Sequence, residues 1–244
     1  MTLPEVVLRQ PPGRPWGSAN VSPFCAKLET YLRMAGVPFR AEPGDPFRSP
    51  SGKMPFAEIG GETIADSQVV IERLEAEHPT PLDAWLDDAQ AARARLVRRM
   101  LEEAYYFVAL WLRWGDDEGY ATVAPAFRAL LPAAVGWLAV PMIRRGIVKS
   151  LHAQGTGRHT RERIHEMGKR DIDALAHAFE GPFVLGARPS TCDATVFAFV
   201  EITLGFPCPS PVRAHMASIT PLATYHAMMR ETYWADAGLG PLPS

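Results

Sequence analysis

Ser22-Pro23-Phe24-Cys25 sets a hydroxyl, a helix-starting proline and a thiol at the head of one helix, where unpaired backbone N–H groups favour a bound thiolate or other anion. Two more pieces stand downstream. Lys53-Met54-Pro55 is a proline-bearing turn before a strand, and Asp66-Ser67 is a second helix start suited to holding a carboxylate. In this order the three pieces describe a pocket for a peptide thiol. A hydroxyl that donates to sulfur lowers the thiol pKa, and a charge-assisted hydrogen bond of about 1.5–3 kcal/mol shifts the thiol–thiolate equilibrium about tenfold or more. Taken singly, Ser22 is also an ordinary N-cap and Asp66-Ser67 an ordinary helix cap. The combination is what points to a site.

The elements that must position these residues can be read from periodicity. Glu5 to Arg9 suits a strand, and a Pro/Gly-rich loop runs through Trp16 to Ser22. From Pro23 the residues Phe24, Leu28, Leu32 and Ala35 recur at helical spacing until Gly36 and Pro38. Pro38 to Glu42 reads as a second strand, Phe56–Ile59 and Glu62–Ala65 as a hairpin over Gly60-Gly61, and Ser67 to Glu77 as a helix. The predicted order is β-α-β-turn-β-β-α. Cys25 lies one helical turn after Ser22 on the same face, and two readings stay open: an inert packing thiol, or a supporting thiol beside the hydroxyl.

This order and these motifs resemble the thioredoxin-like N-terminal domain of the glutathione S-transferase superfamily. SPFCAKLETYLR, SPSGKMPF and IADSQVVIERLE, with GTGRH at 155–159 and PSTCDATVFAF at 189–199, are similar to the failed-axon-connections and metaxin-like branch. The resemblance covers nearly the whole chain and implies an α/β thioredoxin-like domain followed by an all-α domain. It implies that Ser22 stabilises glutathione thiolate as the catalytic residue. It also implies that Met54, before a cis Pro55, offers its main chain to the cysteinyl portion, and that Lys53 meets the glycyl carboxylate. Asp66 would attract the ligand's ammonium group and Ser67 would hold the glutamyl carboxylate. Ser22-Pro23-Phe24-Cys25 also resembles a dithiol redox motif whose first cysteine has become serine, so efficient dithiol exchange is expected to be lost.

The second domain is expected to position a small hydrophobic electrophile. After the linker, residues 79–82, the stretch Asp87 to Trp114 reads as one long helix bearing Tyr105, Tyr106, Phe107, Trp111 and Trp114. One side of that cluster can face a cleft, with Tyr105 and Trp111 the candidates, while the remainder is core. Trp16 can wall the glutathione pocket or pack over the sheet. Domains are placed at 1–78 and 83–244. Further on, Ile164, Gly168, Ile172, Leu175 and Phe179 make a buried stripe, Ser190 and Asp193 fit a capping box, and Pro221 starts the last helix. Gly155-Thr156-Gly157-Arg158-His159 lacks the ending and strand context of a phosphate loop and reads as a turn capped by Thr160.

Composition sets outer bounds. The 244 residues are 47% apolar and 21% charged, enough for two small domains. A net charge of −2 and a pI near 6.4 give no basic footprint for nucleic acid. Cys25, Cys192 and Cys208 form no CxxC pair, and Met1 to Gln10 lacks the pattern of a signal peptide, so a cytoplasmic protein without structural disulfides is expected. No HExxH pair or cysteine set suggests a metal. Ala129 to Ile143 is too short and too proline-interrupted to span a bilayer; an amphipathic or buried hairpin is expected there, without peripheral membrane contact. The reading is a glutathione S-transferase-like enzyme, possible as a homodimer. The alternatives are a noncatalytic metaxin-like glutathione-binding or protein-interaction module and, third, a glutathione-dependent thiol-disulfide reductase.

Overall fold

The computed structural model describes residues 4–243. Its N-terminal part holds a four-stranded sheet in the order β2-β1-β3-β4, formed by β1 (Val6–Gln10), β2 (Phe39–Pro43), β3 (Phe56–Ile59) and β4 (Glu62–Ala65). β1 is central and runs parallel to β2, with Val6 opposite Phe39, and antiparallel to β3, with Val6 opposite Ile59. Its central place explains why Val6, Val7 and Leu8 are all buried, whereas β2 at the edge is largely open.

Helices α1 (Pro23–Met34) and α2 (Ser67–Glu77) cover one face of this sheet. Val6 and Leu8, two residues apart and so on the same side of the pleat, meet Leu28, Tyr31 and Leu32 of α1 and Val70, Ile71 and Leu74 of α2. α1 ends where Gly36, at φ +65°, allows its own N–H to reach Arg33 and the N–H of Val37 to reach Leu32, at 3.3 and 3.0 Å. The other side of α1 packs against α8 (Thr191–Leu204), so α1 is enclosed on two faces. That enclosure buries Lys27, Glu29 and Thr30, which an amphipathic reading would leave wet.

The C-terminal part is helical and is built around α8. Every residue from Cys192 to Leu204 is buried, as suits a helix apolar on all sides. The capping box is present, with Asp193 accepting from the N–H and hydroxyl of Ser190 at 2.9 Å each. On α8 pack α3 (Asp88–Met100), α9 (Pro211–Ser218) and α10 (Thr220–Tyr233); α7 (Arg161–His177) packs on α9 and on α4 (Tyr106–Leu110), and α5 (Asp117–Ala129) and α6 (Ala133–Gln154) pack on each other in a separate cluster with Trp114. Ile164, Gly168, Ile172 and Leu175 form a buried stripe on α7, which Thr160 caps, while Phe179, the fifth residue of the predicted stripe, lies past the end of the helix and is only partly buried.

Two expectations need correction. The run from Asp87 to Trp114 is continuous but not uniformly α-helical: π-helical turns at Leu101–Tyr105 and Trp111–Gly115 flank α4. The second turn closes with the N–H of Asp116 on the carbonyl of Trp111 at 2.9 Å, and a Cβ at Gly115 would collide with the Trp111 ring. Of the two readings of Ala129 to Ile143, amphipathic or buried, the buried one does not hold. The segment turns at Leu130–Pro132 and continues into α6, whose Trp137, Leu138 and Met142 stand in solvent.

Candidate functional site

Ser22 is the N-cap of α1. Its Oγ accepts from the N–H of Cys25 at 3.4 Å, and its own N–H donates to Oδ1 of buried Asn20 at 3.0 Å. A hydroxyl has one proton and two lone pairs, so a serine that accepts from its helix keeps its proton for an outside acceptor. The capping reading and the thiolate-donor reading are therefore compatible in one geometry. Ser22 and Pro23 line an apolar pocket of about 190 Å³ whose walls include Tyr106, Leu110, Trp114, Phe127 and Ile147.

One residue further, Phe24 faces a second cleft of about 270 Å³, lined also by Ser51, Lys53, Met54, Pro55, Asp66 and Ser67. All five downstream residues singled out in the sequence thus converge on one cleft. The Met54–Pro55 peptide bond is cis. Lys53 is exposed at the rim and makes no ion pair among the described residues. Asp66 caps α2, its Oδ1 accepting from the N–H groups of Gln68 and Val69 at 2.8 and 3.4 Å, and adopts φ +75°, a backbone state uncommon outside glycine. The capping role is therefore real, and the same carboxylate still borders the cleft. Ser67 opens α2 with its first-turn N–H facing the helix end. Phe24 and Tyr106 meet edge to face at 5.1 Å, where the polar cleft and the apolar pocket approach each other.

Four sequence candidates fall elsewhere. Cys25 is wholly buried, and burial pushes its thiol up to about 12 against the lesser pull of the Ser22 hydrogen bond, so it is a packed neutral thiol rather than a supporting one. Tyr105 is buried with its hydroxyl 2.8 Å from Oγ1 of Thr203 and belongs to the core. Trp111 turns to His165, ring centres 5.9 Å apart, and does not line the apolar pocket. Trp16 packs edge-on against Phe206 at 5.3 Å and lines neither cleft. Tyr106 and Trp114, one and three residues along from the two named helix aromatics, supply the pocket wall instead. Burial raises the Tyr106 phenol above its ordinary range, so it is a neutral donor.

Sequence reasoning missed the residues that hold the loop before Ser22. Arg113, fully enclosed on the long helix, donates to the carbonyls of Val21 at 2.7 Å and Ile202 at 2.6 Å, and burial brings its guanidinium down to about 10. Glu201, in the last turn of α8, accepts from the N–H of Ala19 at 2.9 Å and faces His226 at 2.5 Å. Arg230 of α10 donates to the carbonyl of Gly17 at 2.9 Å. The available signal was a charge set in an otherwise apolar run, at WLRW and at FAFVEITL. On α1, Lys27 donates to Glu102 at 2.6 Å and to Gln68 at 2.7 Å, joining both domains beside the start of α2. Among the described residues no group of three or more His, Cys, Asp or Glu side chains is placed to hold a metal.

Comparison with known proteins fits this geometry. Residues 23–119 match the glutathione S-transferase N-terminal domain family. The isoprene-epoxide glutathione S-transferase of Rhodococcus sp. (strain AD45) is 31% identical over 197 residues, spanning 75% of this chain and 80% of that one. Failed axon connections of Drosophila melanogaster is 32% identical over 193 residues, 75% of this chain but 46% of that protein. Metaxin-1 of Macaca fascicularis is 26% identical over 240 residues, covering 93% and 75%. The solved apo form of glutathione S-transferase III superposes with a TM-score of 0.61 at 15% identity, covering 100% of this chain and 99% of that chain, which shows the shared fold. The chain belongs to the glutathione S-transferase superfamily, in the company of its failed-axon-connections and metaxin-like branch.

Proposed function

We propose that this protein binds glutathione and transfers its thiolate to a small apolar electrophile. One observation carries the reading: residues two apart at the head of α1 open onto two different clefts, Ser22 onto the apolar pocket and Phe24 onto the cleft of Met54, Asp66 and Ser67. The glutamyl end of glutathione would lie at the start of α2, its cysteinyl amide on the Met54 main chain, and its sulfur beside Ser22. Lys53 would meet the glycyl carboxylate at the rim. The Ser22 proton, free of the cap bond, would donate to sulfur and favour the thiolate. That sulfur would attack carbon in the apolar pocket, forming a C–S bond as the leaving group departs with its electron pair. The Rhodococcus relative named for isoprene epoxide supports a small epoxide as the first class to try, because ring opening places the released pair on oxygen.

The test is glutathione binding by calorimetry, followed by mass-spectrometric detection of thioethers across epoxides and aryl halides. Ser22→Ala should lower kcat/KM about 10- to 100-fold, the range of a lost charge-assisted hydrogen bond, while leaving glutathione bound. Undiminished conjugation by Ser22→Ala, or no conjugate from any electrophile at saturating glutathione, refutes the transferase reading. Similarity to metaxin-1 and failed axon connections favours a second reading, a noncatalytic module that retains the pocket. Tight glutathione binding without turnover would select it. The sealed, protonated Cys25 speaks against the third, a thiol-disulfide reductase.

A further inference from the structure

Of the ten large apolar side chains that stand most exposed among the described residues, six lie on α6: Val135, Trp137, Leu138, Met142, Ile143 and Val148. The other four are scattered over separate elements. Trp137, Leu138 and Met142 are 67%, 75% and 67% exposed, on a helix whose opposite side is anchored by Val140 and Leu151. The next turns of the open face carry Arg145, Lys149 and His152, which with Arg144 and Tyr120 border a broad depression of about 890 Å³. Arg144 is held there by Asp117 at 2.5 Å. Arg128, at the end of α5, lies 4.2 Å over the Trp137 ring.

Charge around this face is one-sided. From Gly119 to Arg161 there is no Asp or Glu, while Arg128, Arg144, Arg145, Lys149, Arg158 and Arg161 fall within that stretch of a chain whose net charge is −2. The α5–α6 turn adds Leu130, Leu131 and Pro132. We propose that α6 and the turn before it form a docking surface for an anionic phospholipid bilayer, with Trp137, Leu138 and Met142 entering the interface and Arg145 and Lys149 on the headgroups. An interfacial helix has this make-up, an apolar face with Trp and Leu beside cations. Insertion is shallow, because no helix among the described residues is long and apolar enough to cross a membrane. A second copy is the poorer occupant: a two-fold contact would set Arg145 and Lys149 of one copy near those of the other, while the carboxylates at the head of α5 already face cations, Asp117 on Arg144 and Glu118 on Arg161, and none stands between Gly119 and Arg161 to pair them. A lipid surface supplies the missing anions.

The experiment is flotation of the full chain with phosphatidylcholine vesicles and with mixed phosphatidylcholine–phosphatidylserine vesicles, beside light scattering to read oligomeric state. The chain should float with the mixed vesicles, bind phosphatidylcholine alone more weakly, and release as salt rises. Arg145→Gln with Lys149→Gln should lower affinity for the mixed vesicles about 30-fold, from the usual worth of two cations near a charged bilayer. Trp137→Ser with Leu138→Ser, both surface changes, should abolish flotation while circular dichroism and thermal unfolding stay unchanged. Quenching by spin-labelled lipid should disappear in Trp137→Phe. The proposal is overturned if the native chain floats with neither vesicle, or if the variants float as well as the native chain. It is also overturned if the Trp137/Leu138 variant converts a dimer to a monomer, which would assign the face to a second copy.

Discussion

The buried lysine of α1 allows a sharp test of how the two domains are joined. Lys27 is 1% exposed and Glu102, reaching over from the second domain, 11%, with Nζ and Oε1 2.6 Å apart. Glu102 has a second cation, Arg98 at 3.2 Å, whereas Lys27 has only Gln68 besides. The two truncations are therefore unequal. Glu102→Ala strands a buried ammonium with one neutral acceptor and should cost about 3 kcal/mol, the low end of the usual penalty for breaking a buried pair because Gln68 remains. Lys27→Met keeps the packed methylenes, removes the charge, and leaves Glu102 with Arg98 near solvent; it should cost about 1 kcal/mol or less.

Titration adds a signature. Burial holds Lys27 below its ordinary value, and Glu102 opposes that effect. A lysine whose folded pKa is depressed binds its proton more weakly folded than unfolded, so stability rises with pH between the folded value and the ordinary value near about 10.4. Removing Glu102 deepens the depression and widens that window downward. The deficit of Glu102→Ala should thus shrink as pH is raised, and that of Lys27→Met should not. Urea unfolding at several pH values measures both, with m unchanged. Equal costs for the two variants, or a Glu102→Ala deficit flat in pH, would refute the assignment of a charged, Glu102-dependent Lys27.

Other outcomes follow from the same geometry. Tyr105→Phe should leave conjugation unchanged and lower stability by about 1 kcal/mol through the lost Thr203 bond, while Tyr106→Phe should alter electrophile preference with little effect on unfolding. Native Cys25 should resist aromatic disulfide reagents at neutral pH and react only on unfolding, as thiol counts with and without denaturant will show. Burial raises Asp171 to about 6, above its unfolded value, so its contribution favours the fold at acid pH and is lost as pH rises through 6. Asp171→Asn should stabilise the protein at pH 7 and do nothing near pH 3, read as melting temperatures.

What could be read in advance was whatever local chemistry decides. The strands of the N-terminal sheet, the glycine stop after α1, the Ser190–Asp193 box and the convergence of Lys53, Met54, Pro55, Asp66 and Ser67 all depend on residues near one another or on spacing between short elements. The aromatic wall was misassigned because the helical phase was extrapolated through Asp87–Trp114 as if it were uniform. Each π turn adds a residue and rotates the face by about 100°, enough to send Tyr105 inward and bring Tyr106 to the pocket. Cys25 was ambiguous for another reason. The face it shares with Ser22 is open at the helix head but is covered one turn later, where α1 runs between the sheet and α8. α6 was misjudged because apolar composition alone does not say whether a partner element covers it.

The charges that sequence reasoning passed over bear directly on the proposed reaction. Ser22 sits at the end of a loop that Arg14 ties from within, to the carbonyl of Ala19 and to Glu29, and three further anchors come from the helical domain: Arg230 on Gly17, Glu201 on Ala19, Arg113 on Val21. Each is buried or partly buried, and each reads main chain, so the identity of the loop residues matters less than the path they follow. Under the proposed transfer, chemistry at sulfur is sensitive to displacements of the donor by a fraction of a hydrogen-bond length, and these groups would act as positioning residues for the Ser22 hydroxyl. The thioredoxin-like domain supplies the donor and the peptide cleft; the helical domain supplies the pocket wall and also fixes where the donor stands. On the proposed function, separating the domains would therefore cost the first its aligned hydroxyl as well as its second substrate. A fold in which one buried arginine ties the Ser22 loop to α8 and also lines the apolar pocket has its domain interface and its candidate active site in the same place.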